Sequence, residues 1–180
     1  MPVYNLEQLQ ADHPKAFDTF LGPVFATCFA LRVGGTPNSA HDFSIKCRPR
    51  QVSGRPPNRD WKFHCSSSSS MPLQNRVRTL LPQKTITEYA AIAVAAALLS
   101  NELSLTISEV GLCGDSGDYW LEDGQQNPAG LIEVGGKQSG RTGSQYQNKR
   151  RQVLKNRVTH RAFVSVTQFG KSDGYFCRVR

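Results

Sequence analysis

The sequence predicts a mixed α/β fold, and the pattern of its second half carries that prediction. A stretch rich in alanine and leucine, 85–102, has the composition of a helix, and a polar amphipathic stretch at 144–157 predicts a second one. Short segments with alternating or β-branched residues predict strands between and after them. These predicted strands are 103–112, 118–122, 130–136, 161–169 and 174–180. The order is helix, three strands, helix, strand, strand.

The starts of both helices carry capping signals. Thr85 is followed three residues later by Glu88, which matches a capping box at the start of the helix at 85–102. Ser144 is the predicted N-cap of the helix at 144–157.

The chain divides near residue 84 into an N-terminal extension, 1–84, and a second domain, 85–180. In the extension, apolar residues first recur at helical spacing, and strands are predicted at 42–49 and 60–65. The segment between these strands is rich in proline and arginine, so it should form an exposed loop. The serine run at 65–70 cannot pack and predicts a linker.

Composition limits the class of protein. A chain of 180 residues with 38% hydrophobic residues can build a core but does not have the composition of a membrane protein. The apolar run Tyr89–Leu99 is too short to span a bilayer, and the N-terminus lacks the layout of a signal peptide. Five scattered cysteines suit reduced thiols rather than a disulfide framework. We therefore expect a cytoplasmic protein without a membrane partner.

Charge is distributed unevenly along the chain, whose formal net charge is +8. Residues 85–133 contain eight acids and no lysine or arginine, whereas residues 134–172 contain nine basic residues and no acid. This segregation favours an acidic site beside a basic surface, with nucleic acid as the first candidate partner. Ordinary solubility charge is the alternative explanation of the positive balance.

Three short motifs carry a resemblance to a known family: "TEYAAIAVA", "GDYWL" and "IEVGG". With them, residues 85–180 resemble the PD-(D/E)xK, or restriction-endonuclease-like, nuclease superfamily, in particular a bacterial branch of it. The resemblance implies an αβββαβ core, with the N-terminal α/β extension outside it. It also implies metal-dependent hydrolysis of phosphodiester bonds in DNA, in a defence or DNA-processing system.

By position in these motifs, the resemblance implies that Asp118, Glu133 and Glu88 bind Mg²⁺ or Mn²⁺. The chemistry is consistent, because Mg²⁺ prefers oxygen ligands and acidifies an attacking water. Each residue also has a structural alternative. Glu88 can be only a capping residue, Asp118 can belong to a turn, and Glu133 can face outward from its apolar strand.

The sequence departs from the family pattern at one position. The family has a lysine two residues after the strand glutamate, but Gly135 stands there. Lys137 and Lys149 are the two candidates for the missing catalytic amino group. Because of this departure, a non-catalytic nucleic-acid-binding or assembly subunit of a larger protein complex is the rival function. In either case, we expect a basic surface to bind the DNA backbone through Arg141, Arg150, Arg151, Lys155 and Arg157.

Overall fold

A computed structural model describes residues 1–17, 21–35, 39–48, 50–54, 57–65, 70–111, 117–155 and 161–180. Within these residues, eight strands form one sheet, in the order β1-β3-β2-β8-β7-β6-β5-β4. The strands are β1 (Val3–Asn5), β2 (Ser39–Arg48), β3 (Asn58–Cys65), β4 (Thr106–Val110), β5 (Tyr119–Glu122), β6 (Pro128–Lys137), β7 (Ala162–Gln168) and β8 (Asp173–Arg178). The helices are α1 (Leu9–Asp12), α2 (Leu21–Val33), α3 (Met71–Leu80), α4 (Gln83–Leu103) and α5 (Thr142–Lys155).

The helices cover the two faces of the sheet unequally. On one face, α4 packs on β6 and β7, with α2 packed against α4. Their side chains and one face of the sheet form the larger apolar core. On the other face, α5 packs on β6, β7 and β8 over a smaller cluster. This arrangement places α4 and α5 on opposite sides of β6, where the predicted site glutamate lies.

The connections follow the usual rules for mixed sheets. β4, β5 and β6 form antiparallel neighbours, while β6 and β7 run parallel on either side of the α5 crossover. The N-terminal strands belong to the same sheet, because β2 pairs in parallel with β8. Residues from both sides of position 84 thus share one sheet and one core.

The prediction of a mixed α/β fold is confirmed, and the three strands predicted after the first helix are neighbours in one sheet. The strand predicted from residue 103 begins only at Thr106, because Ser104 adopts a left-handed conformation (φ 54°) that ends α4. Residue 112, its predicted end, lies outside the described residues, as do residues 66–69 of the predicted linker.

The two predicted N-caps are wrong. Helix α4 begins at Gln83 with Pro82 as its N-cap, and the Pro82 carbonyl accepts a hydrogen bond from the Ile86 N–H group (3.1 Å). Thr85 lies inside the first turn, so it forms no capping box with Glu88. Similarly, α5 begins at Thr142, two residues before Ser144. In both cases the backbone becomes helical before the residue with the preferred capping side chain.

Helix α4 is long and apolar enough to cross a membrane by length and composition alone. Its residues 90–99 are, however, all buried against the sheet and α2. This is the environment of a core helix in a soluble α/β domain. Three cysteines, Cys28, Cys47 and Cys177, are buried in the described part of the chain and are free thiols.

A buried histidine connects the N-terminal segment to this core. His13 is 0% exposed; its Nδ1 accepts the Ile107 N–H group (3.0 Å), and its Nε2 lies 2.9 Å from the Ala96 carbonyl oxygen. A ring that accepts at one nitrogen and donates at the other is neutral. Burial lowers the pKa of His13 below its ordinary value of 6.5, although the charge of Asp12 opposes this.

We therefore expect acid to destabilise the fold through His13. Below pH 6.5 the unfolded chain binds a proton at His13, whereas the folded chain does not. Stability therefore falls as the pH decreases towards the folded pKa of His13, by up to about 1.4 kcal/mol per pH unit. Urea unfolding at pH 7.5, 6.5 and 5.5 measures this slope. His13→Gln, which keeps one acceptor and one donor, should give a shallower slope; an unchanged slope would contradict the assignment.

Candidate active site

One lysine joins the two acidic residues that the sequence singled out. The ammonium group of Lys149, on α5, lies 3.0 Å from Asp118 Oδ2 and 2.5 Å from Glu133 Oε2. Asp118 directly precedes β5, and Glu133 lies in the middle of β6. Three charged side chains from three consecutive elements thus converge at one point.

Backbone hydrogen bonds between the strands position Asp118. Its N–H group donates to the Ile132 carbonyl (3.0 Å), which extends the β5–β6 pairing by one residue. Its Oδ2 also accepts the N–H group of Val134 (2.7 Å). The carboxylate is therefore held against β6 at the level of Glu133, so Asp118 does more than occupy a turn.

Alternation along β6 directs Glu133 towards α5. Ile132 and Val134 contribute to the larger core on the α4 face, whereas Leu131 contributes to the smaller cluster under α5. Since successive side chains in a strand point to opposite faces, Glu133 shares the face of Leu131. Lys149 comes from the helix that covers this face, which is why it reaches Glu133.

The two glycines after Glu133 follow the same alternation. A Cβ atom on Gly136 would lie 2.5 Å from the carbonyl oxygen of Thr87, so close contact with α4 requires glycine there. A Cβ atom on Gly135 would lie 2.7 Å from Nε2 of Gln145, on α5. The position of the family lysine therefore points towards α5, the helix that supplies Lys149 one turn after Gln145.

Burial makes this ion pair electrostatically strong. The Glu133 side chain is 5% exposed, that of Lys149 21% and that of Asp118 37%. Burial raises the pKa of Glu133, and the Asp118 charge adds to this, while the ammonium of Lys149 opposes it. Burial by itself lowers the pKa of Lys149, but its contacts with Glu133 and Asp118 outweigh burial and raise it. Lys149 is therefore charged at neutral pH.

A cleft of about 490 Å³ opens over these residues. Glu88 and Tyr89 of α4 line it together with Tyr119 of β5. Burial raises the pKa of Tyr119 well above its usual range, with a further contribution from the nearby Asp118. A smaller adjoining cleft of about 320 Å³ shares Glu88 and Lys149 with the first. The charged groups thus face an accessible space, not a sealed interior.

The other predicted site residues lie at varying distances from this ion pair. Glu88 lines both clefts, but its carboxylate pairs with Lys84 (3.7 Å) and its side chain is 50% exposed. Lys137 lines only the smaller cleft and donates a hydrogen bond to the carbonyl of Arg141 (3.1 Å). The predicted DNA-binding residues Arg141, Arg150, Arg151 and Lys155 are exposed, and Arg157 lies outside the described residues.

The donor set suits a hard cation only in part. Across the described ranges of the chain, no group of three or more His, Cys, Asp or Glu side chains is arranged to hold a metal ion. Asp118 and Glu133 nevertheless provide two adjacent carboxylates, and the Lys149 contacts use one oxygen of each. Mg²⁺ commonly takes one or two protein carboxylates and completes its shell with water and substrate phosphate. The pair therefore fits that ion.

Sequence reasoning missed two residues of this region, Tyr119 and Gln145. Tyr119 follows Asp118 directly. Because successive side chains of a strand point to opposite faces of the sheet, Tyr119 had an even chance of facing the site. Gln145 precedes Lys149 by four residues, so the helical period would have placed both on one face once Lys149 was chosen.

Comparisons of the sequence with protein-family models and curated proteins, and of the structure with solved structures, give no significant match. The fold and the site therefore define the class: an α/β protein whose single mixed sheet carries a cleft in which a charged lysine bridges two carboxylates.

Proposed function

We propose that this protein is a metal-dependent nuclease of the PD-(D/E)xK type that cleaves DNA in the bacterial cytoplasm. The observation that carries the proposal is the convergence of Asp118, Glu133 and Lys149 in an open cleft. An acid before the second strand, an acid in the third strand and a nearby lysine are the groups that the family resemblance requires. Here the lysine comes from the following helix instead of the third strand.

The order of elements also supports the proposal. Helix α4, strands β4 to β6, helix α5 and strand β7 follow the αβββαβ order, with β6 parallel to β7. Cys28, Cys47 and Cys177 are free thiols, in keeping with a cytoplasmic location.

Each residue of the site has a role in this proposal. Asp118 and Glu133 hold Mg²⁺ or Mn²⁺, and the metal supplies charge compensation and an acidified water when bound. Lys149 donates hydrogen bonds, so it orients the water and balances negative charge that develops on the phosphate. Glu88 lines the same cleft and would assist these two residues in holding the metal. Lys137 lies in the adjoining cleft and contacts the substrate backbone.

The exposed cations of α5 explain how DNA would be held. Arg150, Arg151 and Lys155 are exposed on the helix that also carries Lys149. Cationic side chains there neutralise backbone phosphates, whose counterion release favours binding without regard to sequence.

A specific observation favours the rival function, a non-catalytic nucleic-acid-binding or assembly subunit. The Lys149 ammonium already pairs with both Asp118 and Glu133, so it offsets part of their negative charge without a metal. A degenerate nuclease could keep this arrangement purely as a structural ion pair.

Incubation of the purified protein with plasmid DNA separates the two functions. We expect cleavage with Mg²⁺ or Mn²⁺ and none with EDTA. Divalent metal should also raise the melting temperature, because it binds the folded state only. Metal stabilisation without cleavage of DNA or RNA would favour the non-catalytic subunit, and the absence of both effects would exclude the metal site.

A further inference from the structure

A separate polar cleft lies on the other flank of α5, away from the carboxylates. It encloses about 320 Å³ between α5 and the ends of β2 and β8. None of its lining residues is acidic; they are Arg48, Gly143, Tyr146, Gln147, Arg150 and Tyr175. Nothing in the proposed catalytic mechanism uses this cleft.

The helical period separates the two clefts. Tyr146 and Arg150 are four residues apart on α5, so they share one face of the helix. Arg150 follows Lys149 directly, but successive residues of an α-helix are rotated by about 100°. Lys149 therefore points to the carboxylates on β5 and β6, whereas Arg150 points towards β8 and β2.

Two stacked tyrosines form the base of this cleft. The rings of Tyr146 and Tyr175 lie 4.7 Å apart between centroids at an angle of 19°. Lys46 of β2 donates a hydrogen bond to the Tyr175 hydroxyl (3.2 Å), and its ammonium lies 4.7 Å from that ring centroid. This packing fixes the tyrosines and places a third cation at the edge of the cleft.

Two guanidinium groups converge above this base. Arg48 and Arg150 line the cleft together with Tyr146. Burial raises the pKa of Tyr146 to about 12 and the nearby Cys177 adds to this, while the charges of Arg48 and Arg150 act in the opposite direction. In the described part of the chain, neither arginine forms an ion pair with a carboxylate. The Nε of Arg48 is also buried without a hydrogen-bond partner.

A bound anion would pair with the two arginines and would give the buried Nε of Arg48 an acceptor. Two like charges held together repel each other, and a buried donor without an acceptor is destabilising. A phosphate group offers several acceptor oxygens, and two of them can accept parallel hydrogen bonds from one guanidinium group. The cleft therefore has the charge and donor groups of a phosphate site.

We propose that Arg48 and Arg150 bind a backbone phosphate of the nucleic acid, at a site distinct from the catalytic cleft. The inference rests on the proposed function only in taking nucleic acid as the partner. Arg151 and Lys155 are further exposed cations of the same helix and could meet neighbouring phosphates, which favours a polymer of phosphates over a free anion. The N-terminal strand β2 thereby contributes to substrate binding.

The test measures binding in EDTA, so that cleavage does not enter the result. Wild type, Arg48→Gln, Arg150→Gln and the double variant are titrated with a fluorescent DNA duplex between 50 and 200 mM salt, and separately with inorganic phosphate at constant ionic strength. Arg76→Gln, an exposed arginine on α3, is the matched control.

We expect each substitution in the cleft to weaken duplex binding and to flatten the salt dependence by about one unit of slope, with Arg76→Gln unchanged. Inorganic phosphate should raise the melting temperature of the wild type but not of the double variant. Without phosphate, the double variant should melt no lower than the wild type, because repulsion is removed.

Two outcomes would overturn the inference. Equal affinity and slope for the cleft variants and Arg76→Gln would show that the arginines do not touch the duplex. A phosphate response without any change in DNA binding would assign the cleft to a free phosphate compound. Failure of the nuclease itself gives a different pattern, in which DNA binding depends on Arg48 and Arg150 but Mg²⁺ produces no cleavage.

Discussion

Asp118→Asn and Glu133→Gln are each expected to reduce Mg²⁺-dependent DNA cleavage by about a hundredfold to a thousandfold. Both changes keep the size of the side chain but remove the negative charge that holds the metal, and electrostatic stabilisation at such sites contributes about 10²–10³ in rate per group. The measurement is the initial rate of plasmid nicking at saturating Mg²⁺. The same variants should lose the rise in melting temperature with metal.

Glu109→Gln provides the control for this experiment. Glu109 is an exposed acid on β4, in the same sheet, and its replacement removes one charge without touching the ion pair. Cleavage by this variant should equal that of the wild type. Retention of wild-type cleavage by Asp118→Asn or Glu133→Gln, with the metal response intact, would exclude the proposed site.

Lys149→Met is expected to lower the free energy of unfolding by about 3 kcal/mol at pH 7. Removing one partner of a buried ion pair leaves the other charge uncompensated, which costs about 3–5 kcal/mol, and the partial exposure of Lys149 favours the lower value. Glu133 would then be buried beside Asp118 with no cation. Chemical unfolding measures the change, and Lys155→Met, an exposed lysine on the same helix, should cost far less.

The pH dependence of the stability of Lys149→Met identifies the buried Glu133 as the cause of the destabilisation. Without the ammonium group, burial and Asp118 push the pKa of Glu133 still further above its ordinary value of 4.5. The folded variant then binds a proton that the unfolded chain releases, so its stability falls as pH rises from about 4.5 through the folded pKa. The penalty should shrink at low pH and should largely vanish in Lys149→Met/Glu133→Gln.

If Lys149→Met changes the free energy of unfolding only slightly and to the same extent at every pH, then Lys149 and Glu133 do not form a buried ion pair. The cleavage activity of this variant gives a second, independent readout. Groups that stabilise charge in the transition state contribute about 10²–10³ in rate, so a loss of that size would assign Lys149 to the reaction, provided that the variant is assayed well below its melting temperature.

Local pattern was sufficient for the order of elements around the site. The alanine and leucine content of 85–102 and the period of two in the strand segments are local properties of the chain, so they can be read without a structure. The family resemblance selected Asp118 and Glu133, and Glu133 is also conspicuous as an acid inside an apolar strand. The helix boundaries were less accurate, since Pro82, and not Thr85, is the N-cap of α4.

The choice between Lys137 and Lys149 could not be made from local pattern. It depends on which face of β6 carries Glu133 and on which helix covers that face. Both lysines follow Glu133 in the chain, but Lys137 donates its hydrogen bond to Arg141 while Lys149 reaches across from α5. The parallel pairing of β6 with β7 fixes the path of the crossover helix α5, and this path determines which lysine reaches Glu133.

The sequence by itself determined the mixed α/β class, the succession of helices and strands after residue 84, and the two carboxylates of the candidate site. Only the tertiary structure decided that β2 joins the sheet beside β8 and that Lys149 bridges the carboxylates. It also brought Arg48 next to Arg150. The physical reason is that side-chain periodicity encodes local conformation, whereas pairing between distant strands and the docking of a helix depend on the packing of the whole core.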